Sequence, residues 1–160
     1  MPFIQNVALS DIHNGLHRDA GPNSVLIRIL DHDTEFLPTK NQFLEVHHYR
    51  FLDIDQWDLK QNPTWVDKAC AQEYADEIAS ILKDALQNDK NVIVHCFAGS
   101  SRSGAVCEVG VNLGFNEAFE EAPKWRHPNL LVKNMLYKSL GMPYNFDEKP
   151  NSDDWRNLMF

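Results

Sequence analysis

The sequence predicts an α/β fold: a central, largely parallel sheet of four to five strands flanked by helices. Three observations lead there. The branched apolar runs SVLIRIL (24–30) and NVIVH (91–95) are continuous rather than alternating, as in strands buried on both faces. A long stretch of helical periodicity lies between them, and strands precede and separate helices along the chain. The chain has 160 residues, 43% hydrophobic and 24% charged, about the length of one globular domain. At that length about 70% of the unfolded surface is buried, so folding needs neither disulfide nor metal, and a single domain over 1–160 is expected.

The elements follow in order. Residues 3–9 form a weak strand. Gly21-Pro22-Asn23 turns the chain into the strand at 24–30, and a third strand is expected at 46–54. Asn62-Pro63, a capping residue followed by proline in the first turn, opens a helix that runs to about Leu86. Cys70, Tyr74, Ile78, Leu82 and Ala85 recur on it at spacings of three and four. The strand at 91–95 follows. Helices are then expected at about 101–113, at 116–124 and at 129–140, the first and last ending before Gly114 and Gly141. The segment 142–160, polar and containing Pro143 and Pro150, is expected to drape over the surface.

Fifteen Lys and Arg against 23 Asp and Glu give a net charge of −8, which disfavours a nucleic-acid partner or an anionic membrane surface. No run approaches 18 consecutive apolar residues, and the amino terminus lacks the basic and apolar regions of a secretory signal. Three cysteines without a CxxC pair argue against a disulfide framework or a cysteine zinc site and make a reducing, cytoplasmic compartment the expectation. Asp31-His32-Asp33 and His47-His48 lack metal-ligand spacing and read as solvated strand ends. Glu120-Glu121 and Asp153-Asp154 read as solvated charge. No metal or cofactor is expected.

The chemistry concentrates in Val94-His95-Cys96-Phe97-Ala98-Gly99-Ser100-Ser101-Arg102-Ser103-Gly104, where a buried strand runs through small residues into a helix. Such a loop turns its backbone N–H groups toward one point at a helix N-terminus, a site for a dianion. Arg102 follows Cys96 by six positions, so the curled loop can bring its guanidinium onto a phosphate held above the sulfur. The amides and the helix dipole also favour a thiolate at Cys96, and a thiolate facing phosphate is a nucleophile for phosphoryl transfer. A lone cysteine usually packs in a core. Histidine before it, arginine six positions after it and a hydroxyl, Ser103, after the arginine reverse that reading.

HCFAGSSRSGAV resembles the signature loop of the cysteine-dependent protein tyrosine phosphatases, in the small dual-specificity branch. The order strand, acidic loop, long helix, signature loop, helix resembles it over 24–114, and His127-Pro128-Asn129-Leu130-Leu131 resembles the start of the last helix in small members. The resemblance implies that Cys96 attacks phosphorus to form a cysteinyl-phosphate. It implies that Arg102 and the backbone of Phe97, Ala98, Gly99, Ser100 and Ser101 bind the phosphate. His95 would order the loop, and Ser103 would stabilise the thiolate as it leaves. The implied substrate is a phosphorylated protein carrying phosphotyrosine, with phosphoserine and phosphothreonine further possibilities.

A general acid must protonate the leaving oxygen, and the family supplies an aspartate from a loop before the long helix. Asp53, Asp55 and Asp58 are the candidates. They precede Cys96 by 43, 41 and 38 residues, against a family separation of a little over thirty, so extra residues at about 56–64 must be accommodated. Phe51-Leu52-Asp53-Ile54 resembles the family's acid stretch, which ranks Asp53 first and Asp55 second. Trp57 is either a loop anchor or a core residue. Cys70 and Cys107 read as core, with a protective Cys96–Cys107 disulfide as an alternative for the latter. Two other function classes stay open at this point: a phospho-residue binding module without turnover, and a rhodanese- or arsenate-reductase-like enzyme.

Overall fold

The computed structural model describes residues 1–119, 121 and 123–149. The charge reading at Glu120, Asp153 and Asp154, and the draped tail beyond Lys149, lie outside these residues. The chain runs β1 (Phe3–Ala8), α1 (Leu9–Asn14), β2 (Ser24–Leu30), β3 (Glu45–Arg50), α2 (Gln56–Gln61), a 3-10 turn (Pro63–Asp67), α3 (Gln72–Gln87), β4 (Asn91–Cys96), α4 (Arg102–Leu113), β5 (Asn116–Glu117) and α5 (Leu130–Leu140). All five strands are parallel, in the order β3-β2-β4-β1-β5. Because the strands are parallel, the loops after β1, β2, β3 and β4 open at one edge, and the strand order reverses between β4 and β1, where open α/β sheets hold ligands.

Alternation along β4 separates two cores. Val92, Val94 and Cys96 face a layer that includes Ile78 and Leu82 of α3, Val106 and Val109 of α4 and Leu136 of α5. Ile93 faces the other side with Val7, Leu26 and Leu30, covered by Leu9 and Ile12 of α1. Each such buried Ile, Leu or Val contributes about 1.5–3 kcal/mol of transfer free energy. The continuous apolar runs of β2 and β4 are thus the signature of a sheet covered on both faces.

Four expectations are corrected. The segment 3–9, expected as a weak strand, is an interior one: β1 pairs with β4 from Ile4↔Val92 to Ala8↔Cys96 and with β5 on its other side. The turn of helix after it, α1, forms because Leu9 and Ile12 bury against β1, and Asp11 Oδ2 accepts from the Ala8 N–H at 3.1 Å. The third strand ends at Arg50 instead of running to 54, and the long helix starts at Gln72 instead of Pro63. A bond from the Leu52 N–H to the Lys68 carbonyl (2.8 Å) ties the segment before α3 to the end of β3, and the backbone of Ala71 is extended. Finally, 116–124 is not a helix. Gly114 adopts φ 138°, the Asn116 N–H donates to the Pro2 carbonyl at 2.9 Å, and residues 116–117 add the short edge strand β5. No helix among the described residues is long and apolar enough to cross a membrane.

Candidate active site

The loop between β4 and α4 is held from several sides. The Leu9 N–H donates to the Phe97 carbonyl (3.2 Å), and Asn6 Nδ2 donates to the Gly99 carbonyl (2.8 Å). Ser100 Oγ donates to the Trp125 carbonyl (2.7 Å), and the Asn129 N–H to the Ser101 carbonyl (3.0 Å). Asn6 is fixed in turn by Arg126 Nε (2.8 Å), whose guanidinium pairs through both Nη atoms with Glu117 (2.7 and 2.9 Å). Gly99 has φ 76°, and a Cβ there would fall 2.5 Å from the Ala8 nitrogen. Only glycine lets the loop lie this close to β1.

Cys96 ends β4, 2% exposed, with Sγ 3.1 Å from Ser103 Oγ in the first turn of α4. Arg102, 5% exposed, donates through Nη1 to Asp31 Oδ1 (2.6 Å) and to the Phe51 carbonyl (2.7 Å). Its buried Nε–H has no partner among the described residues. Asp31 is the first residue after β2, and its loop is gathered by Arg50, whose Nη1 donates to the carbonyls of Asp31 (2.6 Å) and Thr34 (2.8 Å). An aspartate set aside as a solvated strand end therefore orients the arginine. The available signal was the buried setting of the arginine itself, which requires a counter-charge at the same sheet edge.

His95 faces away from Cys96, as strand alternation requires. Its register partner on β2 is Arg28, whose Nε–H donates to His95 Nε2 at 2.9 Å. That nitrogen is therefore bare, so the proton sits on Nδ1, within 3.3 Å of the Cys96 carbonyl. Burial, with the Arg28, His48 and Arg102 charges, lowers the His95 pKa to about 4. The ring is neutral near pH 7 and ties the strand end to its neighbour.

The three aspartates separate by their bonds. Asp55 is the N-cap of α2: its Oδ1 accepts from the N–H groups of Trp57 and Asp58 (2.9 Å each), and Asp58 Oδ2 accepts from the Asp55 N–H at 3.0 Å. Asp55-Gln56-Trp57-Asp58 has capping-box spacing, a signal present in the sequence that would have marked both as helix caps. Asp53 instead lies beside the loop, with Oδ1 accepting from Ser101 Oγ and from Asn129 Nδ2, both at 2.8 Å. Asn129 also caps α5, accepting from the Val132 N–H at 3.0 Å.

Asp53, Asp31 and Arg102 line one cavity of about 440 Å³ with Leu52, Ile54, Trp65 and Lys68. Trp65 and Lys68 come from the 3-10 turn and the residue after it, beyond the 56–64 stretch that spacing pointed to. Phe97 and Ala98 are exposed at the loop's rim, and Ser101 and Arg102 are buried at its base. Cys107 Sγ lies 3.8 Å from the Ile4 carbonyl, and Ile4 pairs with Val92, four residues along β4 from Cys96. All three cysteines are free, and burial raises Cys70 and Cys107 to about 12. No group of three metal-ligating side chains is found among the described residues.

The family model for protein-tyrosine phosphatase matches residues 28–127, more than half of the chain. No curated protein sequence is significantly similar. Among solved structures, human tyrosine phosphatase-like serine/threonine/tyrosine-interacting protein is 16% identical over 88% of this chain and 93% of its own, with a TM-score of 0.56. Human DUSP28 is 12% identical over 99% and 90%, with a TM-score of 0.49. OH1 from the Orf virus, a tyrosine phosphatase with triple substrate specificity, is 16% identical over 69% of this chain, with a TM-score of 0.46; the match spans 56% of the viral chain.

Proposed function

The chain belongs to the protein-tyrosine phosphatase family, and from that premise we propose that it is a metal-independent phosphomonoesterase. It hydrolyses phosphotyrosine in proteins, with phosphoserine and phosphothreonine as further substrates, through a cysteinyl-phosphate. The observation that carries this reading is Arg102: its Nη1 is occupied by Asp31 and the Phe51 carbonyl, while its buried Nε–H has no partner among the described residues. A buried donor of this kind calls for an oxyanion, and the loop after Cys96 leads straight to it.

In the first step the Cys96 thiolate forms the S–P bond as the P–O bond to the leaving group breaks. The loop amides of residues 97–102 and the Arg102 guanidinium hold the equatorial oxygens. Asp53 delivers a proton to the leaving oxygen. Both of its hydrogen bonds use Oδ1, which leaves Oδ2 to carry that proton. In the second step water attacks phosphorus, Asp53 takes a proton from it, and the S–P bond breaks. Ser103 Oγ, 3.1 Å from the sulfur, donates to the returning thiolate. His95 orders the loop and carries no proton in the reaction. A reducing, cytoplasmic setting belongs to this reading, because the nucleophile must remain a thiol.

The test is hydrolysis of p-nitrophenyl phosphate in EDTA by the wild type, Cys96→Ser, Asp53→Asn, Asp55→Asn and Asp58→Asn. Turnover by the wild type, none by Cys96→Ser and the largest aspartate loss at Asp53 support the account. A general acid is worth on the order of 10²–10⁴-fold, less with this good leaving group. A wild type that binds vanadate but is inert would make the site a phospho-residue binding module.

A further inference from the structure

Residues 144–149 cross α2 and the stretch that carries Asp53. Two side chains of α2 converge on one backbone carbonyl there: Gln56 Nε2 donates to the Glu148 carbonyl at 2.7 Å and Trp57 Nε1 at 3.1 Å. Two ammonium groups approach the Trp57 ring, Lys60 Nζ at 4.6 Å and Lys149 Nζ at 5.5 Å from its centroid. At the other end of the crossing, Asn145 pairs reciprocally with the buried Asn134 of α5, through bonds of 2.8 and 3.0 Å. Phe146 packs on the small apolar cluster of Ile54, Ala69 and Leu131, next to Asp53 in sequence.

A six-residue helix is far below the length at which a helix is stable by itself, so α2 depends on what it is tied to. Its N-cap is Asp55, two residues from Asp53. Asp53 is therefore held on one side by Ser101 and Asn129, and on the other by a helix whose hold runs through residues 144–149.

We propose that residues 144–149 act as a strap that positions the general acid, with Gln56 and Trp57 as positioning residues that act through Asp53. This rests on Asp53 being the acid, and the test separates the two. The consequence is selective: loosening the strap weakens the step that needs a proton on the leaving oxygen and spares attack by Cys96 when the leaving group needs no proton.

The experiment compares kcat/KM for phenyl phosphate, which needs the acid, with that for 2,4-dinitrophenyl phosphate, which does not, in the wild type, Asp53→Asn, Trp57→Ala and Trp57→Phe. Trp57→Ala is expected to lose about tenfold or more on phenyl phosphate, by misplacement of the acid, and little on the dinitrophenyl ester. Trp57→Phe keeps an aromatic ring for the lysines but removes the N–H. It should lose up to about fivefold in the same selective way, the worth of one hydrogen bond. Equal losses on both esters by the Trp57 variants, with Asp53→Asn selective for phenyl phosphate, would overturn the strap and leave the acid standing. An Asp53→Asn enzyme that loses both esters equally would remove the acid assignment, and the strap with it.

Discussion

The two sides of the candidate active site are built differently. The phosphate side, His95 to Ser103, is one contiguous run in which the strand end, the small residues, the arginine and the hydroxyl sit where neighbours in sequence must sit. The acid side is assembled from distant pieces: Asp31 after β2, Asp53 after β3, Trp65 and Lys68 before α3, and Asn129 at the start of α5. The residues of the first side are placed by their adjacency in sequence, and the loop is then held by bonds from β1, Leu9 and residues 125–129. The second depends on the sheet order, which brings the ends of β2, β3 and β4 to one edge.

Perturbing the phosphate side should therefore damage fold and function together. Gly99→Ala adds a Cβ against the backbone of Val7 and Ala8 at a positive φ. It should cost about 2–5 kcal/mol of stability, from overpacking plus the left-handed penalty, and should abolish vanadate binding. Chemical denaturation and vanadate titration measure the two effects, and an unaffected midpoint would mean that the loop does not lie against β1.

Perturbing the acid side should cost activity while the fold stands. Asp31→Asn removes the charge that orients Arg102 but leaves the bond to the Phe51 carbonyl. We expect kcat/KM to fall about ten- to a hundredfold, the cost of a misaligned binding group, with the fold retained. An unchanged kcat/KM would detach Asp31 from the site.

A pH-dependent effect concerns His95, which belongs to the scaffold beneath the loop. Its pKa is about 4 in the folded chain against 6.5 as the ordinary value. The unfolded chain therefore binds the extra proton between those values, and stability falls as pH drops from about 6.5 to about 4. The full effect is about 3 kcal/mol at one histidine. Unfolding midpoints measured across that window in wild type and His95→Gln should show a shallower pH slope in the variant. Equal slopes would contradict the neutral, Arg28-bound ring.

The same division explains what the sequence made legible. The parallel sheet was readable because β2 and β4 are long apolar runs, and the signature loop because its parts are adjacent. The edge strand β5 was not, since two residues become a strand only when β1 lies beside them. Asp31 was not, because its partner Arg102 lies 71 positions away and an acidic residue after a strand resembles ordinary solvated charge. The choice among Asp53, Asp55 and Asp58 was half legible: the capping-box spacing marks two of them as caps, whereas the bonds that hold the third come from Ser101 and Asn129.

The central claim is that Cys96 carries the phosphoryl group. The most direct measurement uses Ser103→Ala, in which the departing thiolate loses its donor and breakdown of the intermediate slows. The variant is mixed with an aryl phosphate, quenched and digested, and the Cys96 peptide is weighed. The account predicts a phosphoryl adduct on that peptide, together with a burst of phenol equal to the enzyme present. Turnover with no burst and an unmodified Cys96 peptide would contradict it.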